Sequence, residues 1–396
     1  MAVSDSRRAW ASSDDERADG SRILVVNTGS SSIKLGLFAS GPPVKRIGAT
    51  EVERVLDAGG YRQAFRQALG RLVPDLGAGV DAIGHRIVHG GRTFTSPVVI
   101  SPPVLAGLRE IESLAPDHLP QAIAAAEALL EMAPSIPQVA CFDTTFHQTL
   151  PPVARAVALP RRLGIGRFGF HGLSFEYALA RLRSTDTREA DGRVIVAHLG
   201  NGASMAAVRH GRCLETTMGF TPAGGLVMGA RPGDLDPGML VYLVERGTTA
   251  AELAQLINRE AGLLALSELS SDMQELLRSR DPRAELAVEV FCYQARKFVG
   301  SLATVLDGVD TLVFTGGIGT GSPEIRARIC SGLGHLGIRL DPDANAAQHE
   351  VVSARDSAVA VRVIATDEEL MIAQHTNALV LGGREQAQRR NGERHR

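Results

Sequence analysis

This chain contains one short motif twice. Arg22–Phe38 contains ILVVNTGSSSIKLGLF, an apolar run followed by a Gly/Ser turn and an alternating run, and Arg193–Val208 contains VIVAHLGNGASMAAV in the same order. An internal repeat of this kind predicts a duplicated domain. Backbone N–H groups and small hydroxyl side chains in each turn suit phosphate oxygens. Two such hairpins facing each other would hold a nucleotide between two related lobes, which indicates phosphoryl transfer.

The bulk composition excludes several classes of protein. The 396 residues, 44% of them apolar and 22% charged, suffice for two globular domains. A net charge of −2 gives no long-range attraction to nucleic acid or an anionic membrane, and no apolar stretch approaches the roughly 20 residues of a membrane span. The cysteines show no CxxC pair or metal-ligand spacing and are predicted to be reduced and buried in a cytoplasmic protein: Cys141, Cys213, Cys292 and Cys330.

Strands and helices alternate along both halves, which predicts an α/β architecture. Because each half opens with a hairpin, we expect mixed sheets. Besides the hairpins, strands are predicted at residues 81–88, 137–143, 311–315 and 361–365, and helices at 61–72, 103–114, 120–132, 239–245, 249–260, 283–307, 323–333 and 368–380. The Pro-rich residues 151–160 and the Gly-rich residues 164–172 indicate a crossover between the lobes.

These elements predict where the lobes begin and end. We expect an N-terminal lobe at residues 22–150 and a C-terminal nucleotide-binding lobe at 151–369, with the helix at about 370–381 packing back on the first lobe. Residues 1–21 are polar, lack the apolar core of a signal peptide and are predicted to be a disordered leader. Residues 382–396 form a basic tail that we also expect to be disordered.

Two glycine- or lysine-containing segments are candidates for phosphate contact. No GxxxxGK[ST] occurs, so the chain is not a P-loop enzyme. Gly317-Ile-Gly319-Thr-Gly321 follows a strand but lacks the last glycine of GxGxxG, so it either closes a tight turn or binds an anion at the start of the next helix. Lys34, on the strand after the first serine-rich turn, points either at a phosphate or into solvent.

Several charged residues stand where a packing role alone does not explain them. Arg86 ends an apolar strand and Arg231 lies in the loop MGARPGDLDPG, and the arginine fork suits phosphoryl and carboxylate oxygens. A structural salt bridge would explain either arginine alone. Asp143 ends the strand PQVACFD, where α/β sheets carry functional groups, although it could simply cap a turn.

The histidines and the last acidic pair leave similar choices open. His171 in GFHG and His118 in APDHLP lie in loops and are site candidates, whereas structural roles are expected for His85, His89 and His147. Glu368 starts the final helix, where an acidic residue either stabilises the helix dipole or holds Mg²⁺ near phosphates. No HExxH or similar spacing occurs, so we expect no transition-metal site.

Taken together, these segments resemble the acetate kinase family of acyl-phosphate-forming kinases. The resemblance extends from about Arg22 to Val380 and rests on VNTGSSSIK, GHRIVHGG, the LAP-x-H turn, FDTTFHQTLP, RFGFHG, HLGNGAS, ETTMGFTP, RPGDLDPG, TGGIG and TDEELMIA, in family order. It implies two duplicated ribonuclease H-like lobes of the sugar kinase/Hsp70/actin fold, paired as a homodimer. It also implies reversible transfer of the ATP γ-phosphoryl group to a carboxylate, with Mg²⁺ (or Mn²⁺), and no nucleic-acid or membrane partner.

The resemblance also implies a set of site residues. Catalysis is assigned to Asp143, His171, Arg231 and Arg86, and binding of the acid to Arg86, Val88, His118, Phe170 and Pro222. Nucleotide contacts are assigned to Lys34, His198, Gly200, Asn201, Gly202, Gly316, Gly317, Ile318 and Gly319, and the metal to Asn27 and Glu368. Asp143 is expected to orient an arginine or the metal, because a carboxylate substrate needs no base to become a nucleophile.

Three departures from the family pattern bear on specificity. The family turn continues LHNPP, whereas this chain has Asp117-His118-Leu119-Pro120, which predicts an acidic wall at the acyl pocket and a poor fit for acetate. The family's GIGENS is Gly317-Ile-Gly319-Thr320-Gly321-Ser322 here, which leaves the phosphoryl donor open. Pro232 stiffens the loop after Arg231.

Three functions are compatible with these residues. The leading hypothesis is a Mg²⁺-dependent acetate kinase, and the near alternative is a kinase of propionate or another short carboxylic acid, polar or not. The distant alternative is a non-catalytic nucleotide-binding regulator on the same fold, against which the intact Arg86, Asp143, His171 and Arg231 argue.

Overall fold

The computed structural model describes residues 20–29, 32–53 and 61–382. Apart from residues 20, 21 and 382, the predicted leader and basic tail lie outside these ranges, as do Ser30 and Ser31 of the first Gly/Ser turn. None of the helices in the described ranges has the length and apolar character of a membrane-spanning segment.

Two separate mixed sheets form the framework of the molecule. The first contains β1 (Arg22–Thr28), β2 (Ser32–Ala39), β3 (Lys45–Glu53), β4 (Ala82–Ile87), β5 (Val98–Val99) and β6 (Gln138–Phe142), in the order β3-β2-β1-β4-β6-β5. The second contains β7 (Arg193–Leu199), β8 (Ala203–Arg209), β9 (Arg212–Thr216), β10 (Thr311–Thr315) and β11 (Ala360–Val363), in the order β11-β10-β7-β8-β9.

The two sheets share one topology, which confirms the duplication. In each sheet an antiparallel meander of three strands is followed by two strands parallel to the first, and β5 is added at one edge of the first sheet. In the second sheet β7 pairs antiparallel with β8 and parallel with β10, which in turn pairs parallel with β11. The prediction of mixed sheets is therefore correct.

Helices cover both sheets. They are α1 (Tyr61–Leu72), α2 (Leu76–Gly79), α3 (Pro102–Glu110), α4 (Leu119–Met132), α5 (Pro152–Arg155), α6 (Gly172–Thr185), α7 (Thr187–Asp191), α8 (Pro237–Glu245), α9 (Ala250–Gln255), α10 (Gly262–Ser267), α11 (Met273–Arg278), α12 (Pro282–Val305), α13 (Gly316–Gly321), α14 (Pro323–Cys330), α15 (Pro342–Ala346) and α16 (Glu368–Thr376). Single 3-10 turns occur at Glu112–Leu114, Thr145–Thr149, Arg161–Leu163 and Gly334–Leu336, and π-helical turns at Leu256–Glu260 and Asn377–Leu381.

Helices α6 and α16 connect the two halves. Ile372 of α16 and Leu173 of α6 share an apolar cluster with β1 and β4 of the first sheet, whereas Phe175 of α6 packs in a cluster with β7 and β8 of the second. A side chain at Gly84 on β4 would lie 2.6 Å from Ile372, so α16 lies directly against the first sheet. The final helix thus returns to the sheet formed by the start of the chain.

Local structure departs from the sequence predictions at several positions, among them the segment after β10 and the start of α6. The segment GGIGTGS was predicted as a turn, but it forms the short helix α13 immediately after β10. Gly316 makes this possible, because it has a φ of +77° and a Cβ there would lie 2.6 Å from the carbonyl oxygen of Leu199. Helix α6 was not predicted, because it begins after His171 without a side-chain cap.

Candidate active site

Arg86 is the centre of a hydrogen-bonded group at the carboxyl ends of β1, β4 and β6. Its Nε and Nη2 donate to the two carboxylate oxygens of Asp143 at 3.2 and 2.7 Å. Its Nη1 lies 3.4 Å from Oδ1 of Asn27 and 3.2 Å from Oε2 of Glu368. Because neighbouring parallel strands end at the same edge of a sheet, residues distant in sequence meet here.

Burial and charge together fix the state of this arginine. The side chain of Asp143 is 2% exposed and that of Arg86 is 19% exposed. Burial alone would lower the pKa of Arg86, but the carboxylates of Asp143 and Glu368 outweigh it and raise that pKa. Burial raises the pKa of Asp143, and the bidentate Arg86 opposes this rise. Arg86 is therefore held charged in one orientation, as recognition of an anion requires.

His171 occupies an unusual backbone position beside a second histidine. It precedes α6 with a left-handed φ of 58°, a conformation that non-glycine residues rarely adopt. Nδ1 of His171 lies 2.9 Å from Oγ of Ser204, and its ring stacks on His198 with centroids 4.3 Å apart. Nδ1 of His198 lies 2.7 Å from Oγ of Ser174. Two serines therefore orient the two imidazoles.

The surroundings of both imidazoles favour the neutral form. Burial, followed by His198, Arg86 and Arg231, lowers the pKa of His171 well below its usual value. Burial and Arg86 lower the pKa of His198 to about 4. A neutral imidazole still donates one N–H, so His171 can donate a hydrogen bond without carrying a charge.

Arg231 lies close to His171, separated only by a glycine. A Cβ at Gly202 would lie 2.7 Å from Nη2 of Arg231 and 3.2 Å from Nε2 of His171. Nη1 of Arg231 donates to the carbonyl oxygen of Pro222 at 2.6 Å. Burial lowers the pKa of Arg231, and Asp117 opposes this. Within the described ranges no carboxylate forms a salt bridge with Arg231, so its charge is available to a bound anion.

His118 and Asp117 are adjacent residues at the start of α4. Burial, followed by Arg86 and Arg231, lowers the pKa of His118 to about 4. Oδ1 of Asp117 accepts a hydrogen bond from Nη2 of Arg259 at 2.6 Å. Arg259 thus compensates the charge of Asp117, which weakens the case for an acidic wall at the acyl pocket; the poor fit for acetate stays a prediction.

Apolar and structural residues support the loop that carries His171. Phe170 is 1% exposed and Val88 is 8% exposed. The ring of Phe170 lies 5.3 Å from that of His89, and its carbonyl oxygen lies 2.9 Å from Nε2 of His147. Both His89 and His147 are buried. They therefore hold the backbone beside His171.

The glycine-rich segments of the second sheet border a cavity of about 790 Å³. It is lined by Gly200, Asn201, Gly317, Ile318, Gly321 and Ser322 and by residues from Ser271 to Arg278. Gly200 approaches α13 closely, because a Cβ there would lie 3.9 Å from the backbone nitrogen of Gly317. Gly319 is buried inside α13, with its Cβ position 3.6 Å from Leu199. This cavity is large enough for a nucleotide, and it is bordered by glycine-rich backbone, which phosphate groups can approach closely.

The predicted nucleotide residue Lys34 does not line that cavity. It lines another cavity, of about 580 Å³, together with Asn27 and Glu368. Nζ of Lys34 lies 3.0 Å from Oε1 of Glu51, and its side chain is 47% exposed. Pairing of β2 with β3 places Lys34 opposite Glu51, so the lysine lies at the rim of the site with its charge already paired.

The oxygens of Asn27 and Glu368 are of the type that binds a hard divalent metal ion. Both bind the same guanidinium nitrogen of Arg86, so they face one small space. In the described part of the chain, no group of three or more His, Cys, Asp and Glu side chains could hold a metal ion. Mg²⁺ does not need one, since it keeps several waters and binds one or two protein oxygens plus substrate phosphates.

Sequence reasoning missed Arg326, which is fully buried in α14. Its Nη1 donates at 2.9 Å to the carbonyl oxygens of both Gly319 and Thr320 at the end of α13. Its Nε and Nη2 donate to Asn345 at 2.8 and 3.0 Å. Arg326 therefore fixes the glycine-rich helix that borders the nucleotide-sized cavity. An arginine in the run PEIRARIC carries no sequence signal of this role.

The chain belongs to the acetokinase family, whose model matches residues 43–374. It is 46% identical to an acetate kinase from Rhodopseudomonas palustris, over 91% of this chain and 99% of that one. It is 44% identical to an acetate kinase from Nitrobacter hamburgensis, over 91% of this chain and 96% of that one. Membership of this family implies a phosphotransferase with a carboxyl group as acceptor, with ATP as co-substrate and a divalent metal ion.

Solved structures show the same fold. A crystal structure of Porphyromonas gingivalis acetate kinase matches with a TM-score of 0.82 and 35% identity, over 91% of this chain and 100% of that one. A propionate kinase from Francisella tularensis matches equally well, with a TM-score of 0.82 and 35% identity over the same shares. The fold expected from the family resemblance is therefore confirmed.

Proposed function

We propose that this chain transfers the γ-phosphoryl group of ATP reversibly to acetate, giving acetyl phosphate and ADP by direct in-line displacement. One observation carries the proposal. Two partly buried arginines, Arg86 and Arg231, both lower the pKa values of His118 and His171. Gly202 lies against Arg231 and His171, and Gly200 and Asn201 of the same turn line the nucleotide-sized cavity. The family names of the relatives support acetate as the acceptor.

The chemistry requires positioning and charge neutralisation. An oxygen of the acid attacks the γ-phosphorus while the bond from that phosphorus to the bridging oxygen of ADP breaks, so no covalent enzyme intermediate forms. Arg86 and Arg231 hold the carboxylate and the transferred phosphoryl group, two anions that would otherwise repel each other. His171, oriented through Nδ1 by Ser204, donates its Nε2–H to a phosphoryl oxygen.

Asp143 acts by orienting Arg86. Both of its carboxylate oxygens accept hydrogen bonds from the guanidinium, and its side chain is almost fully buried. A carboxylic acid substrate is already ionised at neutral pH, so no base has to remove a proton from it. The bidentate contact leaves one edge of Arg86 turned toward Asn27 and Glu368.

Asn27 and Glu368 would hold Mg²⁺. The ion supplies neutralisation of charge on the phosphate oxygens of ATP when it is bound. Arg46 donates to Asp367 at 2.6 Å and to Glu369 as well, so it fixes the residues on both sides of Glu368. The chain thus positions the Glu368 carboxylate before any ligand arrives.

Propionate is the second candidate acceptor. The propionate kinase from Francisella tularensis matches this chain as well as the acetate kinase structure does. The family resemblance assigns the buried, apolar Val88 and Phe170 to binding of the acid, and such side chains suit a methyl group as well as an ethyl group. The rates with acetate and with propionate therefore have to be compared.

We further propose a cytoplasmic homodimer of two-lobed subunits, with lobes at residues 22–150 and 151–369 and the helix at about 370–381 on the first lobe. The return of α16 to the first sheet supports this division. The exposed face of α8 supports dimerisation, because it carries Met239, Val241, Tyr242 and Val244, each more than half exposed. The four buried free thiols agree with a reducing compartment.

The reverse reaction tests this proposal directly. Acetyl phosphate and MgADP are mixed with the enzyme, and ATP is followed by luciferase luminescence. We expect Arg231→Gln to lower the rate by at least about 100-fold, since it removes charge stabilisation from the transferred group. The matched control is Arg339→Gln, which removes an exposed arginine paired with Asp356. Equal rates in wild type and Arg231→Gln would refute the assigned site.

A further inference from the structure

The segment that leads to His171 has an unusual charge distribution. Residues 151–172 contain four arginines and no acidic residue, in a chain whose net charge is −2. The sequence motif HGGR adds Arg92, which follows β4 and lies against the same segment through a 2.6 Å hydrogen bond to the carbonyl oxygen of Gly164. Five arginines therefore stand in or against the segment that leads to His171, and the segment itself carries no acidic residue.

Three of these five arginines line one cavity, which we call the arginine cavity. Its volume is about 400 Å³, and its polar lining consists of Arg92, Arg155, Arg167 and Gln148. Apolar side chains complete the wall, namely Leu150, Pro152, Ala156, Ile165 and Phe168. No acidic residue lines it. Arg86 and Arg231 do not line it either, so it is separate from the candidate active site.

Hydrogen bonds fix the guanidinium groups of Arg92, Arg155 and Arg167, and in the described part of the chain a carboxylate compensates the charge of Arg167 alone. Nη2 of Arg155 donates to the carbonyl oxygens of His147 and Gln148 at 3.1 and 3.0 Å. Arg167 pairs with Glu215 at 2.7 Å. Across residues 20–29, 32–53 and 61–382, no carboxylate forms a salt bridge with Arg92 or Arg155. Carbonyl oxygens orient a guanidinium without neutralising it, so both forks keep free N–H groups and a full charge.

We infer that the arginine cavity is a second anion site, which binds a small phosphomonoester. A phosphoryl group matches paired arginine forks because its oxygens accept two parallel hydrogen bonds from each. The carbon part of the ester matches the apolar wall of Leu150, Ile165 and Phe168. A cavity of about 400 Å³ also exceeds what inorganic phosphate alone would fill, and lies at the lower end of ordinary ligand sites.

The site is built into the support of His171. The carbonyl oxygen of His147 accepts from Arg155, and the ring of His147 contacts the carbonyl oxygen of Phe170. Phe168, in the cavity wall, packs on His89 with ring centroids 4.5 Å apart. An ester bound to Arg92 and Arg155 would therefore contact three segments at once, namely the loop after β4, the turn that contains His147, and residues 166–168. We expect it to raise the thermal stability of the protein.

The test is binding of glycerol 3-phosphate, measured by isothermal titration calorimetry and by the shift in Tm at constant ionic strength. Wild type should bind one equivalent saturably, and Arg92→Gln should bind about tenfold more weakly, as expected for loss of one charge-assisted contact. Arg92 is suited to the test because it is exposed and makes a single carbonyl contact, so Arg92→Gln should fold normally. Arg155→Gln is the second variant, used if circular dichroism shows the native fold.

Two controls separate this site from the active site. Arg231→Gln should keep the binding of glycerol 3-phosphate, and Arg339→Gln should also keep it. Loss of binding in Arg231→Gln with retention in Arg92→Gln would place the ester in the active site and overturn the inference. Absence of saturable binding to wild type would overturn it as well. Inorganic phosphate binding as tightly as glycerol 3-phosphate would refute the ester as the ligand class.

Discussion

Replacing Asp143 by asparagine tests how the site holds Arg86. The substitution preserves the shape of the side chain, but an amide accepts hydrogen bonds only through its oxygen. In the wild type Nη2 of Arg86 donates to Oδ2 of Asp143 at 2.7 Å, and in the variant this N–H group faces the NH₂ group of the amide instead. A hydrogen bond to a charged group contributes about 1.5–3 kcal/mol. Glu368 remains 3.2 Å from Arg86, so the arginine keeps one ionic partner. We therefore expect kcat/KM for acetate to fall about 10- to 150-fold, since about 1.4 kcal/mol corresponds to a factor of ten.

The assay compares initial rates over ranges of acetate and ATP, with the Kd of ATP from calorimetry. We expect the Kd of ATP to change little, because the nucleotide-sized cavity lies along the other sheet. Asp191→Asn is the matched control, since Asp191 pairs with Arg183 at the surface with both side chains nearly half exposed. Full kcat/KM in Asp143→Asn, with the native fold shown by circular dichroism, would refute the orienting role of Asp143.

Three further predictions follow from other contacts. In steady-state assays, Arg326→Lys should raise the KM for ATP several-fold and change kcat less, because a lysine cannot bond to Gly319 and Asn345 at the same time. The control Arg328→Lys, on the exposed side of the same helix, should leave KM and kcat unchanged. Gly202→Ala should lower kcat at least about tenfold, because its Cβ would lie 2.7 Å from Arg231, while Gly334→Ala meets no atom within 4 Å and should retain wild-type activity. The Tm should fall as the pH is lowered from about 6.5 to about 4. Burial is the main cause that lowers the pKa values of His85 and His118 to about 4, so these histidines are neutral in the folded state over this range. They take up protons on unfolding, which stabilises the unfolded state at low pH. A flat Tm over this pH range would contradict the last prediction.

The sequence predicted the parts of the fold that local patterns specify. Both hairpins were predicted because alternating apolar runs flank a Gly/Ser turn, and Thr311–Thr315 was predicted with its observed bounds. Strand β3 (Lys45–Glu53) was not predicted, because its sequence KRIGATEVE carries charges at both ends and it is stabilised by pairing with β2. That omission also hid Glu51, the strand partner of Lys34.

The candidate site shows the same division between local and long-range information. Arg86, Asp143 and Arg231 were recognisable because each charge stands at a strand end or in a glycine-rich loop. The pairing of Asp117 with Arg259 was not, since a contact between residues so distant in sequence has no local signal. Arg326 was missed for a related reason, because three of its four hydrogen bonds go to backbone carbonyl oxygens that any sequence would supply.

Trapping of the acyl phosphate tests the central claim most directly. The enzyme is incubated with MgATP, hydroxylamine and either acetate, propionate or a hydroxy- or amino-substituted short acid, and the hydroxamate product is measured. The account predicts acetyl hydroxamate at a substantial rate, since Arg259 compensates Asp117, and loss of this product in Arg86→Gln. ATP binding without hydroxamate from any acid would contradict the assignment as a carboxylate kinase.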